Sequence, residues 1–378
     1  MRIALVTQVL PHPADSGTRI RVARIVQALR PRHELTLLSL EPGDAGAAAA
    51  SLGIPVAVHA ARTRRRLAPV AFAPETTAAV RRAVSDWRAD VVHLQGTFSA
   101  AAAGLDRARP VRAVLDDACV YHVSYQRAAE VASGALERAR GRLRAWRLRR
   151  FERGLARRAA ALVAVSEDEA AIMRALAPAV RVAVAPNGVD VDAVKATPPG
   201  DAVLFVGLLG YAPNQDAMQW FARDVLPSVD GAAEVLVAGR DPGPALETLA
   251  RAQTRMRLLG FVPDLAPLYA RAAVFVNPMR GGGGTRLKML GAMAAGKAIV
   301  STTVGAEGLG LTPERDVLIA DTAPAFAAAV RALLEDRERA ARLGCAARAL
   351  VETRFRWEVC LAPLAELYAS LERTGAGA

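Results

Sequence analysis

Residues 277–303 read NPMRGGGGTRLKMLGAMAAGKAIVSTT, and this stretch decides the fold. The apolar run AVFV ends just before it, and a glycine run, a helical pattern and a second apolar run, AIVS, follow in order. A strand, a crossover helix and a second strand make one parallel unit of an α/β sheet. The stretch therefore predicts a parallel sheet in which one strand ends at a glycine-rich loop.

The glycine loop has the features of an anion-binding site. Its consecutive glycines, Gly281 to Gly284, allow a ligand to approach the backbone closely, and the next helix offers unpaired amides and a positive dipole end. Arg286 and Lys288 can add positive charge. In an α/β sheet such a loop lies outside the carboxyl ends of the strands, where ligands bind. The alternative interpretation is a surface turn that binds nothing.

Two other classes of nucleotide-binding protein are disfavoured by missing motifs. The sequence has no Gly-Lys-Ser/Thr of a P-loop, and no GxGxxG follows the first apolar run. An ATPase or a dehydrogenase is therefore not expected.

The alternation of apolar runs with helical patterns predicts two α/β domains. RIALVT, GTRIRVARIVQALR and ELTLLSL open the first half, and AVLFVGLL, EVLVAG and MRLLGFV repeat the alternation in the second. Between them lies APNGVDVDAVKATPPGD, whose composition is typical of a hinge, so we place the boundary near residue 186. A length of 378 residues fits two domains of roughly 100 to 200 residues each.

Several local elements can be predicted in the same way. IPVAVH, DVVHL, RAVLDD and ALVAVS are further strand candidates, and Ser166 with Glu169 has the spacing of an N-terminal capping box. Residues 121–160 have helical apolar spacing. Helices are also expected around residues 217–225 and 244–252.

Positive charge is concentrated in the first half of the chain. Residues 1–185 hold 29 arginines and 16 acids, whereas the remainder holds 20 basic and 21 acidic residues. This asymmetry predicts an anionic partner, which could be a membrane surface, a phosphorylated acceptor or nucleic acid, although drift in arginine content is an equal alternative. The stretch from Arg138 to Arg158, with Trp146 and Phe151 interleaved, could lie on an anionic membrane or be a solvated helix. No nucleic-acid recognition module is present, so no nucleic-acid partner is expected.

The remaining composition favours a cytoplasmic, metal-free protein. Three cysteines without metal-ligand spacing predict neither a disulfide framework nor a zinc site. Neither a signal peptide nor a membrane-spanning segment is expected. Asp190 and Asp192 form an Asp-x-Asp, but they lie in the hinge and not beside the glycine loop, so we expect no metal there.

The sequence resembles the group 1 retaining glycosyltransferases, family four of the standard classification. The resemblance rests on several motifs together: SGTRIRVARIVQALRPRHELTLL, PNGVD, LFVGLLGYAPNQDAMQWFARDVLP, GFVPDLAPLYARAAVFVNPM, GTRLKMLGAMAAGKAIVSTTVGAEGL and FRWEVCLAPLAELY. It implies the GT-B fold, with two Rossmann-like domains facing a cleft. Its implied divisions are an acceptor-binding domain at 1–185, a nucleotide-sugar domain at 186–353, and a final helix at 354–378 that crosses back to the first domain.

The resemblance also implies which residues bind the donor, and where this chain departs from the family. Gly17 matches the glycine near the donor diphosphate, and Glu307 matches a family residue in the second domain. The donor-binding candidates are Gly17, Gly284, Thr285, Arg286, Lys288 and Glu307. The two family glutamates are replaced by Gly283 and Gly291, so the usual ribose contact is missing. Relatives also carry a Lys or Arg after the strand LFVG, whose charge we expect Arg286 and Lys288 to supply instead.

On the acceptor side the candidates come from the ends of two strands in the first half. Asp116 and Asp117 match a family His-Asp pair, and paired carboxylates can position an acceptor hydroxyl and share a proton. The alternative is that they cap the next helix. His93 ends a predicted strand and is a candidate substrate contact.

The expected reaction is transfer of a sugar from a nucleotide sugar to a glycan, a lipid-linked acceptor or a small molecule, with retention of configuration. By resemblance, the leaving diphosphate serves as the base and no protein nucleophile is required; we expect no cofactor and no metal. A noncatalytic homologue acting as a partner or scaffold, motivated by Gly283 and Gly291, is the main alternative. An epimerase acting on a nucleotide sugar is a third.

Overall fold

The computed structural model describes residues 1–62, 72–105, 112–117, 119–131, 134–229, 233–283 and 286–375. The chain divides into two compact units. One comprises residues 1–187 together with 360–378, and the other comprises residues 188–359. The division therefore falls after Asn187, within the segment that we interpreted as a hinge.

The first unit is built on a fully parallel sheet. Its described strands are β1 (Arg2–Thr7), β2 (Glu34–Ser39), β3 (Val56–Val58), β4 (Val91–Gln95), β5 (Arg112–Asp116), β6 (Ala161–Ala164) and β7 (Arg181–Val184). They lie in the order β3-β2-β1-β4-β5-β6-β7. Every residue of β4 and β6 is buried, as expected for parallel strands covered on both faces. The order of connection reverses between β1 and β4, which makes their carboxyl ends the switch point of the sheet.

The helices that cover this sheet are α1 (Gly17–Leu29), α2 (Ala45–Leu52), α3 (Pro74–Asp86), α4 (Gly96–Ala102), α5 (Tyr121–Val131), α6 (Ala135–Ala156) and α7 (Glu167–Leu176). The predicted helical stretch 121–160 is two helices, α5 and α6. The predicted cap is confirmed, because the Ser166 hydroxyl accepts the Glu169 amide at 3.2 Å at the start of α7.

The second unit repeats this architecture on a smaller sheet. Its described strands are β8 (Ala202–Val206), β9 (Val235–Ala238), β10 (Met256–Gly260), β11 (Ala272–Asn277), β12 (Ala298–Ser301) and β13 (Leu318–Ile319). Their order is β10-β9-β8-β11-β12-β13, and all pairs are parallel. The switch point of this sheet lies between β8 and β11. The α/β class and the doubly wound topology predicted from the sequence are confirmed for both units.

The described helices of the second unit are α8 (Ala212–Trp220), α9 (Gly243–Ala252), α10 (Ala266–Arg271), α11 (Leu287–Ala294), α12 (Thr303–Ala306), α13 (Ala323–Glu335) and α14 (Arg337–Arg354). Helix α15 (Trp357–Gly375) follows, and from residue 360 onward it belongs to the first unit. Helix α8 begins five residues before the helix predicted around 217–225, because Pro213 lies in its first turn, where a missing amide is tolerated. Residues Phe221–Val225 continue it as a π turn.

The buried core of the second unit includes an unusual lysine. Lys297 is 1% exposed, and its ammonium donates to the carbonyl oxygens of Thr197 and Pro198, each at 2.8 Å, and of Ala272 at 3.3 Å. Burial lowers the pKa of Lys297 to about 8. The lysine thereby connects the end of the segment that we interpreted as a hinge to the start of β11.

None of the helices in the described ranges combines the length and the apolar character needed to cross a membrane.

Candidate functional site

The candidate donor site lies at the switch point of the second sheet, where β8 and β11 end. Gly207 follows β8, and the loop that begins at Pro278 follows β11. Gly282 has a φ of +95°, and a Cβ at this position would lie 3.2 Å from the Tyr211 hydroxyl. The loop therefore requires glycine at residue 282 and approaches Tyr211. Gly284 and Thr285, two of the predicted donor-binding residues, lie outside the described residues.

Lys288 brings its ammonium group to the end of β8. It lies in the first turn of α11, and its Nζ would be 3.2 Å from a Cβ added at Gly207. Its Nζ donates to Oδ1 of Asn214 and, at 3.5 Å, to the sulfur of Met279, and the centre of the Phe205 ring lies 4.5 Å from it. Lys288 thus places a cation beside Gly207, just after β8, where the resemblance implies a Lys or Arg.

The charge of Lys288 has little compensation within the protein. Burial, followed by the nearby Arg286, lowers the pKa of Lys288 well below its usual range. Within the described ranges, no carboxylate forms an ion pair with it. An anion placed at the end of β8 would therefore favour the protonated form of Lys288.

The guanidinium of Arg286 binds backbone carbonyl groups, whereas we expected it to contact the donor phosphate. Arg286 is 5% exposed, and its guanidinium donates to the carbonyl oxygens of Gly283 and, at 3.3 Å, of Val304. These bonds join the glycine loop to α12. Arg286 thus holds the loop in place and adds positive charge beside Lys288.

Position 291 cannot hold a larger side chain without rearrangement. A Cβ at Gly291 would lie 2.6 Å from the hydroxyl oxygen of Tyr269, which is 5% exposed. Burial raises the pKa of Tyr269, so its hydroxyl is neutral. Glu307, the other predicted polar group, is partly buried and follows the last residue of α12.

Asp116 ends β5 inside a buried network. Its carboxylate accepts from Arg21 at 2.9 and 3.2 Å, and His93 Nε2 lies 3.5 Å from it. His93 Nδ1 contacts the Tyr368 hydroxyl at 2.8 Å. All four side chains are at most 1% exposed. Burial alone would raise the pKa of Asp116, but Arg21 and His93 outweigh it and lower the pKa below its ordinary value.

Asp117 belongs to a separate cluster at the carboxyl edge of the same sheet. Its carboxyl group accepts the Thr97 hydroxyl at 2.9 Å. Burial, then the neighbouring Glu152, raises the pKa of Asp117 well above its usual value. Gly96, with φ of +81°, leaves room for Gln8, whose amide nitrogen would lie 2.6 Å from a Cβ there. The two aspartates therefore have different partners, and their pKa values move in opposite directions.

The structure also describes Gly17 and the two aspartates of the Asp-x-Asp, Asp190 and Asp192. Gly17 is the first residue of α1, partly buried, and it follows Ser16 at the N-cap. In the Asp-x-Asp, Asp192 pairs with Arg356 at 2.8 Å, and Asp190 accepts the Ala193 amide at 3.2 Å. Within the described part of the chain, no group of three or more potential ligands could hold a metal ion.

Sequence reasoning missed several contributors to these clusters, among them Gln8, Arg21, Asn214 and Tyr269. Arg21 offered a signal, because it lies on the apolar face of a helix pattern where a charged residue needs a buried partner. The other three are polar residues in loops or helices with no motif of their own.

Comparisons with known proteins agree with this architecture. The family model described as "Glycosyltransferase Family 4" matches residues 16–193, and "Glycosyl transferases group 1" matches residues 200–336. A GDP-mannose-dependent α-(1-6)-phosphatidylinositol monomannoside mannosyltransferase of Mycobacterium tuberculosis is 29% identical over 221 residues, 51% of this chain and 57% of that protein. The chain spans about a third to just over half the length of the curated relatives it matches (35% and 57%).

Two solved structures share the fold across the whole chain. Sucrose-phosphate synthase from Thermosynechococcus elongatus has a TM-score of 0.75 at 18% identity, covering 99% of this chain and all (100%) of its own. HepE of Anabaena, solved with UDP and glucose, has a TM-score of 0.74 at 17% identity, covering 98% and 100%. With both halves matched by glycosyltransferase models, the chain belongs to the group 1, family four glycosyltransferases of the GT-B fold.

Proposed function

We propose that the protein transfers a sugar from a nucleotide sugar to an acceptor hydroxyl, with the donor bound by the second unit and the acceptor by the first. The observation that carries the proposal is the position of Lys288. Its ammonium group is enclosed at the end of β8, beside the glycine loop, with Asn214 as its hydrogen-bond partner. A partly buried cation without a countercharge is costly, and a bound diphosphate would supply the countercharge.

The diphosphate is also the group whose charge grows during the reaction. As the bond from the sugar to the diphosphate breaks, the leaving oxygen gains negative charge, and preorganised donors stabilise it. Lys288 and the amides of the glycine loop are such donors, and Arg286 holds the loop through Gly283 and Val304. Losing one preorganised donor typically costs roughly 10² to 10³ in rate. Because protein cations meet this charge, the proposed reaction requires no metal.

Retention of configuration is part of the proposal. The acceptor hydroxyl attacks from the face that the diphosphate leaves, and the departing diphosphate takes the proton of that hydroxyl. The bond to the acceptor oxygen forms as the bond to the diphosphate breaks, so no protein nucleophile takes part. Among the described residues, the Lys288 ammonium contacts the Asn214 amide, the Met279 sulfur and the Phe205 ring, and no carboxylate pairs with it that could compete with the diphosphate as the base.

The carboxyl edge of the first sheet is the proposed acceptor site. Burial and the neighbouring Glu152 raise the pKa of Asp117, which favours its protonated form, and in that form it can donate a hydrogen bond to a sugar hydroxyl. Gln8 lies close to it across Gly96. Asp116 and His93 are fully buried in the network with Arg21 and Tyr368, so we propose that they position the edge and do not touch the acceptor.

The proposed donor is a sugar linked to UDP, GDP or a similar nucleoside diphosphate. A curated relative uses GDP-mannose, and a structural neighbour was solved with UDP. The proposed acceptors are a glycan, a lipid-linked glycan or a small metabolite, and the proposed location is the cytoplasm. Gly17, Glu307 and the undescribed Gly284 and Thr285 stay proposed donor contacts.

The first test is calorimetric titration of the purified protein with UDP, GDP, ADP and dTDP, with and without Mg²⁺. Micromolar binding of one nucleotide that does not change on adding Mg²⁺ is expected. The matching nucleotide sugar is then incubated with acceptors, and NMR of the product reports whether the anomeric configuration is retained. Binding of none of the four nucleotides would contradict the proposal. Such a result would favour the noncatalytic alternative, which the blocked position at Gly291 motivates.

A further inference from the structure

Helices α5 and α6 extend together from the carboxyl edge of the first sheet. The Glu152 carboxylate of α6 accepts the backbone amide of Tyr121 at 2.8 Å, so this point of α6 lies beside the start of α5. A Cβ added at Gly141 would lie 2.6 Å from the Cβ of Ala129, so the two helices are in close contact farther out. With a rise of 1.5 Å per residue, the 11 residues of α5 extend about 16 Å. The part of α6 before Gly141 therefore lies away from the Tyr121 contact, alongside the end of α5.

One face of α6 packs against its own unit and the opposite face exposes large apolar side chains. Leu136, Leu143 and Trp146 are 64%, 48% and 55% exposed. At about 100° per residue they fall within roughly 80° of one another. The buried residues Leu148 and Leu155 lie on the other side of the helix. Apolar side chains on an outward helix face are unfavourable in water unless something covers them.

The same outward surface is strongly basic. Residues 135–158 hold ten arginines and two glutamates. The exposed arginines are Arg140, Arg142, Arg144, Arg147, Arg149, Arg150, Arg153, Arg157 and Arg158. In the described ranges none of these nine forms an ion pair with a carboxylate. The glutamates do not neutralise them, because Glu152 is buried against His122, which leaves Glu137 as the exposed acid of the helix.

We propose that the outer face of α6 docks on an anionic lipid bilayer. Leu136, Leu143 and Trp146 would enter the boundary between headgroups and acyl chains, where tryptophan is favoured, and the arginines would contact lipid phosphates. Each arginine near such a surface strengthens binding by roughly fivefold. The inference concerns a surface and does not rest on the proposed glycosyl transfer. Taken with that proposal, it selects a lipid-linked acceptor.

The apolar side chains favour a bilayer over the other anionic partners. Nucleic acid would pair with the arginines and could stack on Trp146, but the aliphatic Leu136 and Leu143 would gain nothing from phosphates. On a helix face that remains in water, three exposed apolar side chains beside arginines without carboxylate partners would bring no stabilisation. The bilayer is the anionic partner that uses both sets of side chains.

The test is co-sedimentation of the full chain with vesicles of phosphatidylcholine, alone or mixed with phosphatidylglycerol. Wild-type protein is expected to bind the mixed vesicles and to lose affinity as salt rises, because salt screens the arginines. The variant Arg140→Gln/Arg147→Gln/Arg150→Gln is expected to bind roughly a hundredfold more weakly. Leu143→Ser/Trp146→Ser is expected to lose the binding that persists at high salt.

The matched control is Arg32→Gln/Arg82→Gln/Arg373→Gln, which removes the same charge from exposed positions elsewhere on the first unit. It should bind mixed vesicles within a few fold of wild type. Equal losses in the control and the α6 variants, or no binding of wild type to the mixed vesicles, would overturn the proposal. Binding of a short DNA duplex without vesicle binding would overturn it in favour of nucleic acid. Nucleotide titration of the same variants should be unchanged, which separates this result from a failure of the donor site.

Discussion

Replacing Lys288 by methionine removes the ammonium group and keeps most of the apolar stem. Two unit charges about 4 Å apart interact with roughly 4 kcal/mol at an effective dielectric constant of about 20. Part of this is offset by desolvation of the phosphate, so we expect a loss of about 2 to 4 kcal/mol in nucleoside diphosphate binding, roughly thirty- to several-hundredfold. Lys195→Met is the matched control, because Lys195 is exposed and lies in the same unit.

The pH dependence of binding gives a second, independent readout. The pKa of Lys288 is held well below its usual range by burial and Arg286, and a bound diphosphate should raise it. Binding then takes up a proton at pH values between the two pKa values, so affinity falls as the pH rises through that window. Calorimetry at several pH values above about 7, where the phosphate (second pKa roughly 6) is ionised, reports this uptake when it is repeated in buffers of different ionisation enthalpy.

Both readouts are expected to change in Lys288→Met and to stay as in wild type in Lys195→Met. The thermal midpoint of Lys288→Met should not fall, because the substitution removes a partly buried charge that has no carboxylate partner in the described ranges. Equal affinity of the two variants for the nucleotide, or proton uptake that persists in Lys288→Met, would refute the assignment of Lys288 to the diphosphate.

Three further substitutions test other parts of the structure. Asp117→Asn should keep activity near neutral pH and Asp117→Ala should lose it, as measured by initial rates; a rate for Asp117→Asn as low as that for Asp117→Ala would contradict the proposed role of Asp117. Because the raised pKa of Asp117 makes folding less favourable as the pH rises above about 4, Asp117→Asn should also stabilise the protein at neutral pH. Gly291→Ala should lower the free energy of unfolding by about 1 to 3 kcal/mol, and adding Tyr269→Phe should restore it in a double-mutant cycle; additive effects would disprove the contact. Arg21→Met should cost about 3 to 5 kcal/mol by leaving Asp116 buried without its cation. In wild type the stabilisation from Asp116 is present above its unfolded pKa of about 4 and disappears as the pH falls through its lowered folded pKa, so urea titrations of Arg21→Met that retain this pH dependence would speak against the pairing.

The local sequence pattern was sufficient to predict the helices and strands and their order along the chain. The alternation of apolar runs and helical stretches predicted the α/β class, and most strands begin and end within two residues of the predicted runs, because side-chain periodicity and burial act locally along the chain. The predicted start of a helix was wrong where a local rule was overlooked, as at α8, because Pro213 is tolerated in its first turn. The glycine run also marked the loop after β11, since the requirement for glycine at residue 282 is a property of its own backbone.

The sequence by itself determined the two parallel sheets, the glycine loop and the basic character of the first half. Only the tertiary structure decided which side chains meet, because those contacts join residues far apart in the chain. Lys288 and Asn214 are 74 residues apart, Arg21 and Asp116 are 95 apart, and His93 and Tyr368 are 275 apart. Two adjacent aspartates, Asp116 and Asp117, look equivalent in the sequence. Asp116 ends β5 and Asp117 follows it, and one meets Arg21 while the other meets Thr97; this difference in surroundings gives them opposite pKa shifts.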